Sequence, residues 1–336
     1  MVVVCVTTIR DIARLARVSV STASLAVNGD DRVSAATRER VLKAARQLDY
    51  HPSHVARSLS SGRTWSLHLI NPMSRAGASS GFFTRFVYGL HEEVRKLDFT
   101  LALSVLDDEQ DALAELDKLI RERRADGIIL MNLNEDECLL ARLLESGFPH
   151  VLLGHSTRDE VNSVDSDNEA VARDATRHLL ASGRSSILFL NAASNLTFAK
   201  ERVAGYRAAH HAEPDERLVR SGLRTAEDGR AEVNRCLAEE LEFDSVLASS
   251  DEVAFGALRA LRDAGLSVPQ DIEIMGINND DLTMYTEPRL SSVDLNAAEL
   301  GRQAAAQLLA SIDGKPASRK LVPHCLIFRE SSRETT

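Results

Sequence analysis

The sequence predicts an N-terminal all-α helix-turn-helix head followed by a two-lobed α/β body with parallel sheets. Within the first 50 residues, apolar residues recur at helical spacing in three short segments separated by turn residues. From residue 64 onward, short apolar runs alternate with amphipathic helical segments. Such alternation is typical of parallel sheets covered by helices on both faces.

The charge of the chain is divided unevenly between these two parts. The 336 residues carry a formal net charge of −10. Residues 1–63 nevertheless hold ten Lys and Arg against five Asp and Glu, a net charge of +5, so the remainder carries −15. A basic head attracts phosphate, whereas an acidic body is repelled by a duplex. The distribution therefore favours nucleic acid as a partner of the head.

The three predicted helices of the head each follow a capping residue. Thr8 begins the first with Asp11 three residues later, as in a capping box, and Ser19 and Ser34 begin the others. Arg17 and Val18 form the turn, and Asn28-Gly29 ends the second helix. The faces that we expect to be buried consist of Ile9, Ile12, Leu15, Ala16, Ala23, Ala26, Val27, Val41, Leu42, Ala45 and Leu48.

The start of the second helix would present Val20, Ser21, Thr22 and Leu25. In helix-turn-helix proteins the N-terminal end of this helix enters the major groove. Hydroxyls contact base edges or phosphate there, and apolar side chains contact thymine methyl groups. The alternative is a small helical domain whose caps have no role in binding.

A short hinge follows the head. Residues 53–61 give about two helical turns, below the roughly 12–15 residues at which an isolated helix is stable in water. We expect it to fold only when it is docked on DNA beside a second copy.

The body divides into two series of elements. The predicted strands are 67–70, 100–105, 127–131 and 150–154 in the first series, and 162–165, 186–190, 245–249 and 272–277 in the second, with 321–329 last. The predicted helices are 83–97, 111–124, 136–146, 169–182, 199–211, 226–240 and 252–264. Two series imply two lobes with a cleft between them, where open α/β sheets bind ligands at the carboxyl ends of their strands.

The chain resembles the LacI/GalR family of bacterial transcription regulators. The resemblance rests on TIRDIARLARVSVSTAS with the later NG, on HVARSL in the hinge, and on long stretches of the body such as VDSDNEAVARDATRHLL and SSDEVAFGALRALRDAG. It implies that the body is a type I periplasmic-binding-protein-like domain. Arg17 and Leu25 depart from the family pattern, so the operator sequence cannot be transferred from relatives.

The resemblance implies a set of DNA-binding residues. Leu59 would wedge between base pairs in the minor groove, and Ala56 would let two hinges approach closely. In the alternative, Leu59 packs against its own head or body. The full predicted set is Thr8, Ser19, Val20, Ser21, Thr22, Leu25, Asn28, Ser34, Tyr50, His54, Ala56 and Leu59.

The resemblance also implies an effector site in the cleft. Arg202 matches a ligand-clamping arginine, whose planar fork suits vicinal hydroxyls or a carboxylate, unless it is a surface arginine. Phe82 and Phe83 would stack on a sugar or belong to the core, and Asp251 would cap a helix or contact ligand. The predicted set is Phe82, Phe83, Met131, Phe198, Arg202, Ser250, Asp251 and Asn278, which contains fewer carboxylates than is usual for hexose binding.

The expected domains are a DNA-binding head (7–52), a hinge (53–63) and an effector-binding and dimerisation domain (64–330). We place the N-lobe at about 64–163 plus 294–320 and the C-lobe at about 164–293 plus 321–330.

The sequence therefore predicts a homodimeric repressor of a pseudo-palindromic operator, controlled allosterically by a small molecule. A carbohydrate is the first choice of effector, and a purine-like or other small metabolite is the alternative. The alternative is a DNA-binding regulator controlled by a protein partner or by no effector. An enzyme is a distant third, because the chain has no GxGxxG, Walker A, HExxH or GxSxG motif.

We expect no cofactor, no catalytic or metal site and no membrane partner. The absence of a signal peptide and of a long apolar run favours a cytoplasmic, nucleoid-associated protein. The scattered Cys5, Cys138, Cys236 and Cys325 are expected to be buried free thiols.

Overall fold

The computed structural model describes residues 7–50, 57–58, 61–72, 80–106, 109–131, 138–156, 158 and 160–333. The chain divides into two compact units, Met1–Trp65 and Ser66–Thr336. His54, Ala56 and Leu59 lie outside the described residues, so their roles at DNA stay predictions.

The first unit contains three helices, α1 (Ile9–Ala16), α2 (Val20–Val27) and α3 (Ala35–Gln47). Small side chains allow these helices to pack closely, and each pair of helices is in contact. The core consists of Ile12, Ala13, Ala16, Ala23, Ala26, Val33, Val41 and Ala44. The helix-turn-helix prediction is confirmed in the number and order of its helices.

Two residues that we expected in this core are exposed. Leu15 is 48% exposed and Leu42 is 39% exposed. Ala13 and Ala44 are buried instead, because the faces in contact run through residues 12, 13 and 16 of α1 and 41 and 44 of α3. Each wrong residue lies next to the contact face, about 100° of helical rotation from a buried neighbour.

The turn between α1 and α2 is formed by Arg17, which has a left-handed backbone with φ of 54°. Side chains other than Gly, Asn and Asp are strained in this region. Gly29, which follows α2, has φ of 77° and adopts the same region without that strain. The chain therefore tolerates a strained arginine at one end of the motif and uses glycine at the other.

The second unit contains two six-stranded sheets. The first has the order β11-β5-β4-β3-β1-β2, and its strands are paired in parallel. Its elements are β1 (Ser66–Asn71), α4 (Gly81–Lys96), β2 (Thr100–Val105), α5 (Glu109–Glu122), β3 (Gly127–Met131), α6 (Cys138–Ser146), β4 (His150–Leu153), β5 (Ser163–Asp165), α11 (Ala297–Ile312) and β11 (Arg319–Leu321). We call this set the first lobe.

The second sheet has the order β12-β10-β9-β8-β6-β7, in which β12 alone is antiparallel to its neighbour. Its elements, which we call the second lobe, are α7 (Asn168–Ala181), β6 (Ile187–Leu190), α8 (Thr197–Ala209), β7 (Val219–Arg220), α9 (Ala226–Ala238), β8 (Ser245–Ala248), α10 (Asp251–Asp263), β9 (Glu273–Ile277), β10 (Ser291–Asp294) and β12 (Cys325–Ile327). Short 3-10 helices cover Glu216–Leu218 and Asp281–Met284.

The fold differs from the expected grouping at β5. The sequence pattern placed 162–165 with the second series, whereas β5 pairs with β4 and β11 in the first sheet. The chain then crosses to the second lobe at Asp165–Asn168, and it crosses again after β10 and after β11. Hydrogen-bonding partners distant in sequence decide this placement, because a three-residue strand carries no local signal of its sheet.

The cysteines differ in part from expectation. Cys236 is buried, as expected, whereas the free thiols of Cys138 and Cys325 are exposed. Cys5 lies outside the described residues. Among the helices that the structure describes, none is long and apolar enough to cross a membrane.

Candidate functional sites

The head exposes the start of α2. Ser19 caps this helix by accepting a hydrogen bond from the backbone N–H of Thr22 at 3.0 Å, and the two hydroxyls lie 2.8 Å apart. Ser19, Val20 and Ser21 are exposed, and Val20 is 44% exposed. This end therefore presents hydroxyl and apolar groups together with unpaired helical N–H groups, which is a suitable surface for base edges and phosphate.

The other predicted DNA-binding residues of the head have mixed environments. Leu25 and Tyr50 are half-buried against the core, so only part of each side chain is available for contact. Thr8 caps α1, and its N–H and hydroxyl donate to the Asp11 carboxylate at 3.0 and 2.7 Å. Asn28 and Ser34 are exposed.

A cavity of about 580 Å³ lies between the two sheets of the second unit. Its walls include the carboxyl ends of strands from both lobes, as expected for open α/β sheets. Each of the eight predicted effector residues lines it, as does Gly154: Phe82, Phe83, Met131, Phe198, Arg202, Ser250, Asp251 and Asn278.

Arg202 is buried on α8 and only 5% exposed. Its Nε donates to Asn168 Oδ1 at 3.0 Å and its Nη1 to the Ser249 carbonyl at 2.9 Å. Burial lowers the pKa of Arg202 to about 10, although the nearby Asp165 and Glu201 carboxyls partly offset this effect by raising the pKa. The guanidinium is therefore cationic at neutral pH, and its Nη2 has no acceptor among the described protein groups.

Aromatic rings form the apolar part of the cavity. The Phe198 ring lies 4.8 Å from the guanidinium carbon of Arg202, a cation–π arrangement that fixes both groups. Phe83 is buried and Phe82 half-buried, and Phe82 stacks on Phe86 with ring centroids 6.4 Å apart. The pair thus packs within the first lobe and faces the cavity at the same time.

Asp251 is buried, and its carboxylate binds neighbouring protein groups rather than forming accessible surface. Its two oxygens accept hydrogen bonds of 2.6 Å from the Ser292 hydroxyl and from the backbone N–H of Asp280. The helix is capped by Ser250, whose hydroxyl accepts from the Val253 N–H at 3.3 Å, so the expectation that Asp251 caps it is wrong. Burial raises the pKa of Asp251 to about 7.

The loop after β9 joins the two lobes. Arg85 of α4 donates through Nη2 to the carbonyls of Asn278 and Asn279 at 2.5 and 2.6 Å. The Asp280 carboxylate accepts from the Gly81 N–H at 2.9 Å. Asn278 has φ of 109°, which is strained for a residue other than glycine. A predicted ligand residue thus lies in a strained loop held by the opposite lobe.

A second bridge between the lobes lies on another side of the cavity. His155 follows β4, and its Nδ1 lies 2.7 Å from a carboxylate oxygen of Glu201 on α8. Arg319 Nη1 lies 3.3 Å from His155 Nε2. The two partners are separated by 46 positions, so local spacing carried no signal for this bridge.

Sequence reasoning missed several polar residues of the cavity. Asp165, Ser166, Asn168, Glu252 and Asp280 line it. The cavity is therefore lined by four carboxyl groups, from Asp165, Asp251, Glu252 and Asp280, of which the predicted set contained only Asp251. A signal was present for Asp165, which ends a predicted strand, at the edge where open α/β sheets bind ligands. Among the described residues, no group of His, Cys, Asp and Glu is arranged to hold a metal ion.

Comparisons with known proteins agree with this geometry. Residues 8–53 match the model of bacterial regulatory proteins of the lacI family, and residues 64–333 match that of periplasmic binding proteins and the sugar-binding domain of the LacI family. The chain belongs to the LacI family of bacterial transcriptional regulators, and it is a DNA-binding regulator.

The relatives extend over the whole chain. Catabolite control protein A of Staphylococcus xylosus is 30% identical and covers 97% of this chain and 99% of its own length. The HTH-type transcriptional regulator CelR of Thermobifida fusca is 32% identical, with 96% and 98% covered. These relatives are regulators and not enzymes, which confirms the prediction that this chain is not an enzyme.

Among solved structures, a complex of the transcriptional regulator CelR with cellobiose is 30% identical. It covers 97% of this chain and 100% of its own, with a TM-score of 0.76. The predicted two-lobed, periplasmic-binding-protein-like body is confirmed by this likeness.

Proposed function

We propose that the protein is a homodimeric repressor whose affinity for a pseudo-palindromic operator is set by a carbohydrate bound in the cavity between its lobes. The observation that carries the effector proposal is the cavity itself, which combines the buried Arg202 fork with aromatic walls and about 580 Å³ of space. Polar groups that fix orientation within a largely apolar cleft are typical of small-molecule sites. The CelR relative crystallised with cellobiose supports the choice of ligand class.

The functional division that we propose is a DNA-binding head at 7–52, a hinge at 53–63 and an effector-binding body at 64–330. In this arrangement a regulator that binds chromosomal operators works in the cytoplasm. The effector would change the relation of the two lobes, and thereby the ease with which paired hinges form on DNA.

A second copy of the chain would cover apolar side chains that the body leaves exposed. Tyr88 on α4 is 61% exposed, and Leu103 on the edge strand β2 is 46% exposed. In the second lobe, Met284 is 46% and Tyr285 84% exposed. Exposed apolar side chains mark an interaction surface where they form a contiguous patch, and a second copy of the chain would complete such a patch on each lobe. Sedimentation of the full chain at micromolar concentration is expected to give a dimer, and Tyr285→Asp a monomer; a monomeric parent protein would contradict the proposal.

DNA binding is tested by selecting operators from a random duplex library with the full chain. Ser21→Ala removes an exposed hydroxyl from the start of α2 and is expected to weaken the selected operator about tenfold, with little effect on random DNA. Gln47→Ala, exposed at the end of α3, is the matched control. Equal losses for both DNAs would contradict base contact by α2.

Effector control is tested by titrating the protein–operator complex with neutral sugars, sugar acids and nucleosides, while anisotropy reports DNA release or tightening. We expect a neutral sugar to change operator affinity by 5- to 150-fold, the usual range of allosteric coupling. A response to none of them would contradict the carbohydrate effector and favour control by a protein partner.

A further inference from the structure

Asp165 occupies the point where the chain leaves the first sheet for the second lobe. It is the last residue of β5 and is 9% exposed. Its Oδ1 accepts from the Ser166 N–H at 2.8 Å and from Asn168 Nδ2 at 3.2 Å. Its Oδ2 accepts no hydrogen bond from a described protein group, although the residue lines the cavity. A buried carboxyl oxygen therefore faces the space that a ligand would fill.

Ser166 adds a second unsatisfied group beside it. The side chain is 3% exposed, and its Oγ has no hydrogen-bond partner among the described residues. Ser166 also lines the cavity. Buried hydroxyls in folded proteins are nearly always hydrogen-bonded, so this one needs a partner supplied by water or by a ligand.

The neighbouring cation does not neutralise Asp165 by direct contact. Asn168 lies between them, since its Nδ2 donates to Asp165 and its Oδ1 accepts from Arg202 Nε. The amide holds the carboxyl and the guanidinium in fixed positions without joining them. Asp165 Oδ2 and Arg202 Nη2 are thus left as one acceptor and one donor for a bound molecule.

The surrounding charges disfavour a further negative group. The side chains that line the cavity include four carboxyl groups, from Asp165, Asp251, Glu252 and Asp280, against two guanidinium groups, from Arg202 and Arg224. On α8, Glu201 is next to Arg202, and it contacts His155, which in turn contacts Arg319 of β11. Burial and then the Glu201 carboxylate raise the pKa of Asp165 to about 7. A ligand carboxylate or phosphate would add to this repulsion.

We propose that Asp165 makes the cavity selective for an uncharged polyhydroxyl ligand over its carboxylated or phosphorylated counterpart. Ligand hydroxyls donate to Asp165 Oδ2 and exchange a hydrogen bond with Ser166 Oγ, while Arg202 Nη2 donates to a ligand oxygen. This selectivity rests on the proposed function, because it requires that the cavity binds a carbohydrate.

The test compares matched probes with the full-length protein by isothermal titration at about pH 8.5, where the Asp165 carboxyl is ionised. The pairs are cellobiose with cellobionate, glucose with glucose 6-phosphate, and ribose with ribose 5-phosphate. For each pair that binds, we expect the neutral member to bind at least about tenfold more tightly. Asp165→Asn keeps the shape and removes the charge, so it is expected to reduce this preference about tenfold, mainly by improving affinity for the charged member.

Glu169→Gln is the matched control, since it removes an exposed carboxylate four positions away and is expected to leave the preference unchanged. Ser166→Ala is a second variant, which removes a hydroxyl without a protein partner and is expected to weaken the neutral ligand about fivefold without affecting folding.

The two proposals fail in different ways. Equal affinity for both members of a pair, or an unchanged preference in Asp165→Asn, would overturn the selectivity and leave the carbohydrate effector standing. Binding of none of the six probes would overturn the carbohydrate effector, and the selectivity with it.

Discussion

The head and the cavity are built in opposite ways. The candidate DNA surface of the head comes from consecutive residues at the start of α2, and Ser19, Val20 and Ser21 are exposed there. The cavity is assembled from strand ends in both lobes, and residues such as Asp165, Arg202 and Asp251 are buried with strongly shifted pKa values. A surface that meets DNA can be local and solvated, whereas a site for a small molecule must enclose it. Substitutions should therefore be mild in the head and severe in the cavity.

The largest effect is expected for Arg202→Ala. It leaves Asn168 Oδ1 and the Ser249 carbonyl without their donor and removes the charge beside Asp165. We expect a loss of effector affinity of at least about 100-fold and a stability loss of about 3 kcal/mol, while operator binding is retained. Titration calorimetry, denaturant unfolding and operator anisotropy measure the three quantities.

Arg207→Ala is the control for Arg202, because Arg207 lies on the same helix and forms an exposed pair with Glu216. A normal effector response in Arg202→Ala would show that the cavity is not the effector site, and the contrast between head and cavity would lose its basis.

Gly81→Ala tests the contact between the lobes. A Cβ on Gly81 would lie 2.0 Å from Asp280 Oδ2, so the carboxylate must move and the hydrogen bond from the Gly81 N–H is lost. We expect a stability loss of about 1–3 kcal/mol and a more open body. Small-angle scattering and denaturant unfolding of the free protein are the measurements. Thr84→Ala on the same helix should change neither; an unchanged profile for Gly81→Ala would contradict the bridge.

The pH dependence of stability sharpens the comparison, because the buried carboxyls belong to the cavity. The pKa of Asp165 and that of Asp251 are raised from 3.8 to about 7. Both groups keep a proton in the folded state that the unfolded chain releases, so each contributes stability below about pH 4 that is lost as the pH rises to 7. The loss is about 1.4 kcal/mol per pH unit for each group within this window.

Asp165→Asn should remove the contribution of Asp165 to this pH dependence. The measurement is the difference in unfolding free energy between variant and parent from pH 5 to 7. The comparison must be a difference, since burial lowers the pKa of His68 and His178 and these groups act in the opposite direction. Asp30 of the head, with its pKa lowered to about 2 by Arg32, titrates below this range. Parallel curves for variant and parent would contradict the raised pKa of Asp165.

The smallest effect is expected in the head, for Arg17→Gly. Glycine relieves the left-handed backbone at φ of 54°, and its greater freedom in the unfolded chain offsets part of the gain. We expect about 0.5 kcal/mol of added stability for α1 and α2, read from hydrogen exchange of their amides in the full chain. Arg17→Ala is the control, because it removes the same charge but does not relieve the strain of the left-handed backbone. Faster exchange in Arg17→Gly would mean that the arginine side chain stabilises the turn.

Sequence reasoning predicted much of the cavity, because the family resemblance indicated which positions contact an effector. All eight predicted effector residues line the cavity in the structure. Their roles as ligand contacts stay predictions. The polar residues that it missed, Asp165, Ser166 and Asn168, lie at a crossover whose sheet the local pattern assigned wrongly. Spacing shows which residues share a face, but it does not show which strands become neighbours.

The sequence by itself determined the class of each element, the basic head and the limits of most helices, because periodicity, caps and charge act over a few residues. Only the tertiary structure decided that Leu15 and Leu42 face solvent, that β5 joins the first sheet, and that four carboxyl groups line the same cavity as Arg202. These features depend on groups far apart in the chain. Burial and pKa shifts exist only after packing removes water from between them.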